Sequence, residues 1–161
     1  MAETLTVATG SKEAKYRELV PQVKAMLEGE EDLIANMANV ASMIDETFGF
    51  LWTGFYRVKK VKDGTDEVLV LGPFQGPLAC TRIRKGKGVC GTAWERGETV
   101  VVEDVELFPG HIACSSASRS EIVVPIKKDG LVVAVLDIDS AELGTFDETD
   151  KKFLEEIAAL F

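Results

Sequence analysis

Residues 111–140, HIACSSASRSEIVVPIKKDGLVVAVLDIDS, decide the fold of this chain. The segment contains two apolar runs, residues 122–126 and 131–138, which are separated by a short turn with an Asp-Gly pair. This pattern predicts a β-hairpin. Because both runs are apolar at nearly every position, we expect two strands that are covered on both faces, in the interior of a sheet.

Three carboxylates interrupt this apolar pattern. Glu121 opens the first strand, and Asp137 and Asp139 lie two residues apart near the end of the second. Side-chain alternation places both aspartates on one face of the strand, together with Val133 and Val135. Two interpretations stay open at this point. The acids either cap a turn where the strand enters solvent, or they form the floor of a pocket in which burial raises the pKa of one carboxyl enough to hold a proton.

Length and composition limit the possible classes of protein. The 161 residues predict one domain, residues 1–161, with a loosely ordered tail at residues 1–10. The 46% hydrophobic and 28% charged content is typical of globular proteins, and the net charge of −9 argues against nucleic acid or an anionic membrane as partner. The N-terminus lacks the apolar core of a secretory signal, so we expect a cytoplasmic protein.

The chain has three cysteines, Cys80, Cys90 and Cys114. An odd number without a secretion signal indicates thiols in a reducing compartment rather than a disulfide framework. Together with His111 they offer four potential zinc ligands, but their spacing matches no zinc motif. We therefore predict no metal site.

Hydrophobic periodicity predicts the remaining elements. Apolar residues at helical spacing predict helices over residues 11–28, 31–48 and 89–96, and a last helix with Asp147 as its N-cap. Besides the hairpin, strands are predicted at residues 50–60, 67–71, 78–83 and 98–104, and residues 72–77 are predicted to form a turn-rich connection. The order predicts an α+β fold with a central, mostly antiparallel six-stranded sheet and helices packed on it.

The first strand carries two aromatic residues on one face. Alternation puts Trp52, Gly54 and Tyr56 on the same side, and the glycine would leave a slot between the rings. Such a slot is a suitable wall for a small ligand. The alternative is that both aromatics only cover a helix, which is the more common role of strand aromatics.

The segment GKGVCG, residues 86–91, has the glycine spacing of a dinucleotide-binding loop. The chain does not alternate strands and helices as such folds do, so we reject that function. The glycines open a short helix whose N-terminal amides could hold an anion such as a carboxylate. Cys90 lies in the first turn of this helix, which is expected to favour its thiolate.

Six motifs together resemble one known family. In chain order they are LWTGFY, GPFQGPLACTRI, GKGVCGTAW, FPGHIAC, SEIVVPI and VLDIDS, and the similarity covers residues 13–161. This order resembles the free methionine-(R)-sulfoxide reductases, which are GAF domains. The resemblance implies a GAF-like fold and a reductase that acts on the free amino acid without a bound cofactor. It also implies thioredoxin as reductant, with NADPH and thioredoxin reductase behind it, and a homodimer.

The resemblance also implies roles for the cysteines. Cys114 is the nucleophile, Cys80 is the resolving thiol, and Cys90 is an auxiliary thiol that can join disulfide exchange. One position departs from the pattern, because members of the family commonly have Asp after the loop cysteine and this chain has Ser115. The substitution puts the rate or the order of the loop in question, and leaves the chemistry unchanged.

The same resemblance assigns the pocket. Glu121, Asp137 and Asp139 are expected to bind the substrate and assist the sulfoxide, and Trp52 and Tyr56 to surround its methyl-sulfur end. This fits elementary chemistry, because a sulfoxide oxygen leaves poorly unless an acid protonates it. We expect Asp137 and Asp139 to act as a coupled pair, and Glu121 to face the ammonium group of the substrate. The sulfenic acid left on the nucleophile would condense with a nearby thiol.

Three questions stay open from the sequence. The helix N-terminus makes Cys90 look as nucleophilic as Cys114, although the long irregular loop before Glu121 favours Cys114. A GAF module that binds a small ligand without chemistry is one alternative function. A peroxide-sensing thiol protein is the other.

Overall fold

The computed structural model describes residues 4–112 and 114–161. In this part of the chain the elements are α1 (Lys12–Leu27), α2 (Leu33–Phe48), β1 (Trp52–Lys60), β2 (Glu67–Gln75), β3 (Arg82–Ile83), α3 (Gly88–Arg96), β4 (Val100–Val102), a 3-10 turn (Val105–Leu107), β5 (Ser120–Lys128), β6 (Leu131–Ser140) and α4 (Glu148–Ala158). No helix in these ranges has the length and apolarity needed to cross a bilayer.

The strands form one six-stranded sheet in the order β3-β2-β1-β6-β5-β4. Every neighbouring pair is antiparallel, so the predicted α+β architecture is confirmed. The hairpin of β5 and β6 lies inside the sheet, as its apolar runs predict. Asp129 and Gly130 at its turn both have positive φ, which is the geometry that a tight hairpin turn needs.

The sheet separates two hydrophobic cores. On one face α1, α2 and α4 bury a large cluster that includes Phe55, Ile122 and Leu136. On the other face α3 and the connecting loops cover a smaller cluster built around Trp52 and Tyr56. Both faces of the central strands are therefore shielded from solvent, which explains why their sequences lack a polar side.

The β2 and β3 segments differ from the sequence prediction. Residues 72–75 continue β2 instead of forming a turn, because Phe74 and Gln75 pair with the start of β1. Pro73 is tolerated there because β3 pairs only with Leu69 and Val70, so this end of β2 is a sheet edge that needs no second donor. The strand predicted for residues 78–83 shortens to Arg82–Ile83, and Cys80 therefore lies in a loop.

The predicted face of Val133 is also wrong. The register shifts by one residue between Ile126, which pairs with Ala134, and Lys127, which pairs with Val132. This bulge leaves Val133 as an extra residue and reverses the alternation. Val133 consequently packs against the three-helix face, whereas Val135 lies on the opposite face with the aspartates.

The helix ends are set by short polar side chains. The Ser11 hydroxyl accepts from Ala14 N–H at the start of α1, and the Asp32 carboxylate caps α2, which begins two residues later than predicted. Of the predicted N-terminal tail, residues 1–3 lie outside the described ranges. In the rest of the tail, Thr6 N–H donates to Gln22 Oε1 at 2.8 Å and Leu5 packs against the larger core.

One buried carboxylate joins α1 to α4. Asp147 is the N-cap of α4, as the sequence predicts, and Asp150 completes a capping box with it. Asp150 is fully buried. It accepts hydrogen bonds from Tyr16 Oη and Lys12 Nζ, both at 2.6 Å, and from Asp147 N–H at 2.9 Å. Because its oxygens are satisfied, this buried charge stabilises the packing of the helices.

We expect Asp150→Ala to lower the free energy of unfolding by roughly 3 kcal/mol, since it leaves the Tyr16 hydroxyl without its acceptor and removes a cap. Urea denaturation followed by circular dichroism measures the loss. Glu148→Ala, an exposed change in the same helical turn, is the matched control and should stay within about 0.5 kcal/mol of the parent. Equal losses for the two variants would contradict a specific role for Asp150.

Candidate active site

A cavity of about 50 Å³ lies on the α3 face of the sheet. Strands β1, β5 and β6 form its floor, the first turn of α3 forms one wall, and the loop before β5 forms the roof. Of the eight residues predicted to catalyse the reaction or bind the substrate, seven line it: Trp52, Tyr56, Cys90, Cys114, Glu121, Asp137 and Asp139. The eighth, Cys80, is bonded to the roof from outside the lining.

The acidic floor results from strand register. Glu121 on β5 pairs directly with Asp139 on β6, and Asp137 lies two residues further along the same face. Glu121 and Asp137 each expose only 6% of their surface. The strand end therefore does not emerge into solvent, and of the two interpretations the pocket floor is the one that the structure shows.

Burial changes the protonation of these carboxyls. It raises the pKa of Glu121 well above its ordinary value, and the charges of Asp137 and Asp139 raise it further. Burial also raises the pKa of Asp139 well above its usual range, with Asp137 adding to the effect and a hydrogen bond from Ser118 opposing it. The Ser118 hydroxyl donates to Asp139 Oδ1 at 2.9 Å. The floor therefore retains protons that exposed carboxyls would lose near neutral pH.

Asp137 lies at the centre of the acidic group. Burial raises the pKa of Asp137 too, but hydrogen bonds from Glu121 and Cys90 to its carboxyl group and the positive charge of His111 lower it. One oxygen each of Glu121 and Asp137 and the sulfur of Cys90 all lie within 4.8 Å of one another. Asp137 Oδ1 is buried without a hydrogen-bond partner among the described residues, so this oxygen is free to bind a ligand.

The predicted thiolate at Cys90 is contradicted. Cys90 does occupy the first turn of α3, but it is buried, and burial raises its pKa well above the ordinary thiol value. The carboxylates of the floor raise it further, Asp137 most of all. Desolvation and three acidic neighbours therefore outweigh the favourable helix N-terminus, and Cys90 is held as a thiol.

Cys80 and Cys114 form a disulfide, with their Cα atoms 5.6 Å apart and a separation of 34 residues in sequence. Cys114 lines the cavity, and both cysteines keep partial exposure to solvent. The Tyr56 hydroxyl donates to Cys80 O at 2.9 Å, which fixes the loop that carries Cys80 against β1. The pair joins the roof to the loop between β2 and β3.

The aromatic wall differs in detail from the predicted slot. The Trp52 ring folds back over Gly54 and stacks with Tyr56 at 5.9 Å between ring centroids. A Cβ at position 54 would lie 2.6 Å from the Trp52 ring and still closer to Phe74, so the glycine admits the indole and leaves no open slot. Trp52 Nε1 donates to Pro77 O at 3.0 Å. Both rings line the cavity, and they also belong to the hydrophobic cluster that α3 covers.

Some lining residues were not predicted as part of the site. Ser118 carries no signal in the sequence, because it lies in a loop without periodicity. Lys87 and Gly88 belong to the glycine motif for which an anion site was considered, and both line the cavity. The Lys87 side chain makes no capping hydrogen bond at the start of α3, which leaves the first amides of that helix available.

Comparisons with known proteins show the family of this chain. A GAF domain family model matches residues 28–161. The chain is 56% identical to GAF domain-containing protein A of Dictyostelium discoideum, over 99% of this chain and 98% of the relative. It is 42% identical to the free methionine-R-sulfoxide reductase of Saccharomyces cerevisiae, over 93% of this chain and 85% of that protein.

A solved structure extends the comparison. The free methionine-R-sulfoxide reductase of Neisseria meningitidis, in complex with its substrate, superposes with a TM-score of 0.91 at 52% identity, covering 98% of this chain and 92% of that one. From the matched residues, the sheet topology and the extent of identity, we conclude that this chain belongs to the GAF-domain free methionine-R-sulfoxide reductases, a family of oxidoreductases that act on sulfur.

Proposed function

We propose that this chain reduces free L-methionine (R)-S-oxide to L-methionine, with Cys114 as the nucleophile. One observation carries the proposal: a partly exposed cysteine, bonded to a second cysteine, lines a cavity whose floor consists of three proton-retaining carboxyls. The whole chain is proposed to act as one catalytic domain. The family relationship supports the substrate and the preference for the R epimer.

In this proposal, the ammonium, carboxylate and methyl-sulfur groups of the substrate bind different parts of the cavity. The ammonium group binds the acidic floor beside Glu121, where a positive charge favours the ionised carboxylate. The carboxylate faces Lys87 and the uncapped first turn of α3, where backbone amides and the helix dipole attract an anion. Trp52 and Tyr56 pack against the methyl-sulfur end. A peptide bond at either terminus would replace a charged group by a neutral one.

The reducing step needs a thiolate and an acid. The Cys114 thiolate attacks the sulfoxide sulfur while the coupled acids of the floor protonate the oxygen. The hydroxyl group then passes from the methionine sulfur to the cysteine sulfur as the bond between the two sulfurs breaks. In balance, methionine sulfoxide and the Cys114 thiol give methionine and a Cys114 sulfenic acid. Asp137 and Asp139 act here as a unit with Glu121, whose close approach to Asp137 extends the predicted pair to three groups.

The second step forms a disulfide between Cys80 and Cys114, the two cysteines that are bonded in the structure. The Cys80 thiol attacks the sulfenic sulfur, releasing water and closing the Cys80–Cys114 bond. Cys90 lies apart from this exchange as a buried thiol. Two electrons from a dithiol protein then reopen the disulfide through a mixed disulfide, and we propose thioredoxin, reduced by NADPH through thioredoxin reductase, for that role.

The surface beside the disulfide suits a protein reductant. Leu78 and Ile112 each lie two positions before one of the paired cysteines, and their side chains are 90% and 38% exposed. Exposed aliphatic side chains at a partly accessible disulfide give a dithiol protein an apolar surface to bury. Recycling by thioredoxin fits a reducing compartment, the cytoplasm, and we propose a homodimer on the basis of family resemblance alone.

A coupled assay tests the proposed function. NADPH oxidation is followed with thioredoxin and thioredoxin reductase while free R, free S and peptide-bound methionine sulfoxide are offered in turn. We expect turnover with the free R epimer alone. A module that binds ligand without chemistry would oxidise no NADPH, and a peroxide sensor would respond to peroxide without preferring one epimer.

Cysteine variants test the assignment of the nucleophile. With one equivalent of substrate and no reductant, the reduced parent should lose two titratable thiols and keep one, that of Cys90. Cys114→Ser should abolish methionine formation, whereas Cys80→Ser and Cys90→Ser should each retain single-turnover reduction. Loss of single-turnover activity in Cys90→Ser, with retention in Cys114→Ser, would reverse the assignment.

Glu121→Gln tests how the acidic floor affects the stability of the fold and the binding of the substrate. The raised pKa means that folded Glu121 holds its proton more tightly than the unfolded chain, in which the Glu pKa is about 4.3. Its contribution to stability is therefore complete below that pH and is lost as pH rises through the folded-state pKa. Glutamine cannot ionise, so we expect the variant to be at least as stable as the parent at neutral pH, with the advantage vanishing near pH 4. KM for methionine sulfoxide should rise by about 10- to 100-fold.

Urea denaturation at several pH values and steady-state kinetics measure the two effects of Glu121→Gln. Glu106→Gln, a change at an exposed position, should alter neither quantity. A variant that is destabilised at every pH to the same extent would show that Glu121 is needed for packing, and that its charge carries no cost.

Leu78→Ser tests the surface proposed for the reductant. Removing an aliphatic side chain that becomes buried in the complex should raise KM for thioredoxin by about tenfold. Turnover with the small reductant dithiothreitol should stay within twofold of the parent, because that molecule needs no docking surface. Leu131→Ser, at the far end of the hairpin and 72% exposed in the parent, is the control. An equal change in both assays would show that Leu78 acts on substrate binding instead.

A further inference from the structure

The proposed reaction gives the Cys90 thiol no direct role, yet it is placed against the most acidic part of the cavity. Cys90 comes from α3, Glu121 from β5 and Asp137 from β6, and one potential ligand atom of each lies within 4.8 Å of the others. All three residues are buried. Three rigid elements thus hold one sulfur and two carboxyl groups around a single point.

We propose that Cys90, Glu121 and Asp137 form a binding site for a soft divalent cation of the zinc and cadmium class, and that the bound cation excludes methionine sulfoxide. This site goes beyond the reductase function. Of the cysteine and histidine set considered from the sequence, this site contains only Cys90. Cys80 and Cys114 are bonded to each other and are therefore not available as ligands.

A second observation points to a ligand at this place. Asp137 exposes 6% of its surface and lines the cavity, and its Oδ1 has no hydrogen-bond partner within the described ranges. Buried carboxylate oxygens are normally paired, because an unpaired one has lost its hydration without gaining a replacement partner. A cation on this oxygen would satisfy it.

The donor set and the space both suit such an ion. Zinc binds thiolate sulfur and carboxylate oxygen in four-coordinate sites, and one water can complete a set of three protein ligands. The cavity of about 50 Å³ exceeds the roughly 10–15 Å³ that one water needs, so a cation and a water fit together. On binding, the Cys90 S–H proton and any carboxyl proton leave to solvent, and no atom changes oxidation state.

The consequence for function follows from shared residues. Glu121 is proposed to receive the ammonium group of the substrate, and Asp137 to take part in protonating the sulfoxide oxygen. A cation bound to both carboxyl groups occupies these positions. Inhibition should therefore compete with methionine sulfoxide and be reversed by a chelator. Inhibition caused by oxidation of the thiol, in contrast, would persist after a chelator is added.

The disulfide form of the protein allows a direct test. With Cys80 and Cys114 bonded, Cys90 is the free thiol of the chain, so a cadmium–thiolate charge-transfer band in the ultraviolet reports its ligation alone. Titration of the oxidised protein with Cd²⁺ should produce this band with a stoichiometry of one. Cys90→Ser and Cys90→Ala should remove the band, and circular dichroism shows whether each variant is folded.

A carboxylate pair of variants supplies the matched control. Asp137→Asn should weaken Cd²⁺ binding by about 100-fold or more, because it removes a direct ligand. Asp139→Asn, in the same cavity but outside the group of three, should weaken it by less than about tenfold. Absence of the band, its persistence without Cys90, or equal losses for the two aspartate variants would each overturn the proposal. None of these results depends on reductase activity, so failure here leaves the proposed function untouched.

Discussion

The pairing of β5 with β6 is the constraint on which the site depends. Its register sets Glu121 opposite Asp139 and brings Asp137 to the same face. A slip of β6 by one residue would turn both aspartates toward the face that α1, α2 and α4 cover. The bulge at Val133 lies beyond Asp137 toward the turn, so it reverses the apolar end of β6 without disturbing the acidic end. Sheet geometry rather than loop conformation therefore positions the acids.

The two faces of the sheet treat buried acids in opposite ways. Asp150, beside α1, receives hydrogen bonds from Tyr16 and Lys12 and serves the packing of the helices. The acids on the α3 face lack such cationic partners among the residues described, and their pKa values rise instead. A protein gains nothing in stability from this second arrangement. It gains a set of carboxyls that hold protons at neutral pH, which is what reduction of a sulfoxide requires.

The cysteines show how environment divides one residue type into different roles. Cys90 is enclosed by apolar groups and acids, which keep it protonated. Cys80 and Cys114 lie on two irregular segments that retain contact with solvent, so they can meet each other and an external dithiol. Its position at a helix N-terminus alone predicted a thiolate for Cys90. The prediction is wrong because the helix dipole stabilises a thiolate less than burial destabilises it.

The sequence by itself determined the element order, the internal hairpin and the cap at Asp147, since these depend on local periodicity and hydrogen bonding. It also indicated a face that carries Asp137 and Asp139. Only the tertiary structure decided the length of β2, the bulge at Val133 and the burial of Cys90. Each of these depends on a neighbour in the folded molecule: strand β1, the register with β5, and the acids beneath α3. Local patterns contain no record of such neighbours, and desolvation is a property of the packed molecule.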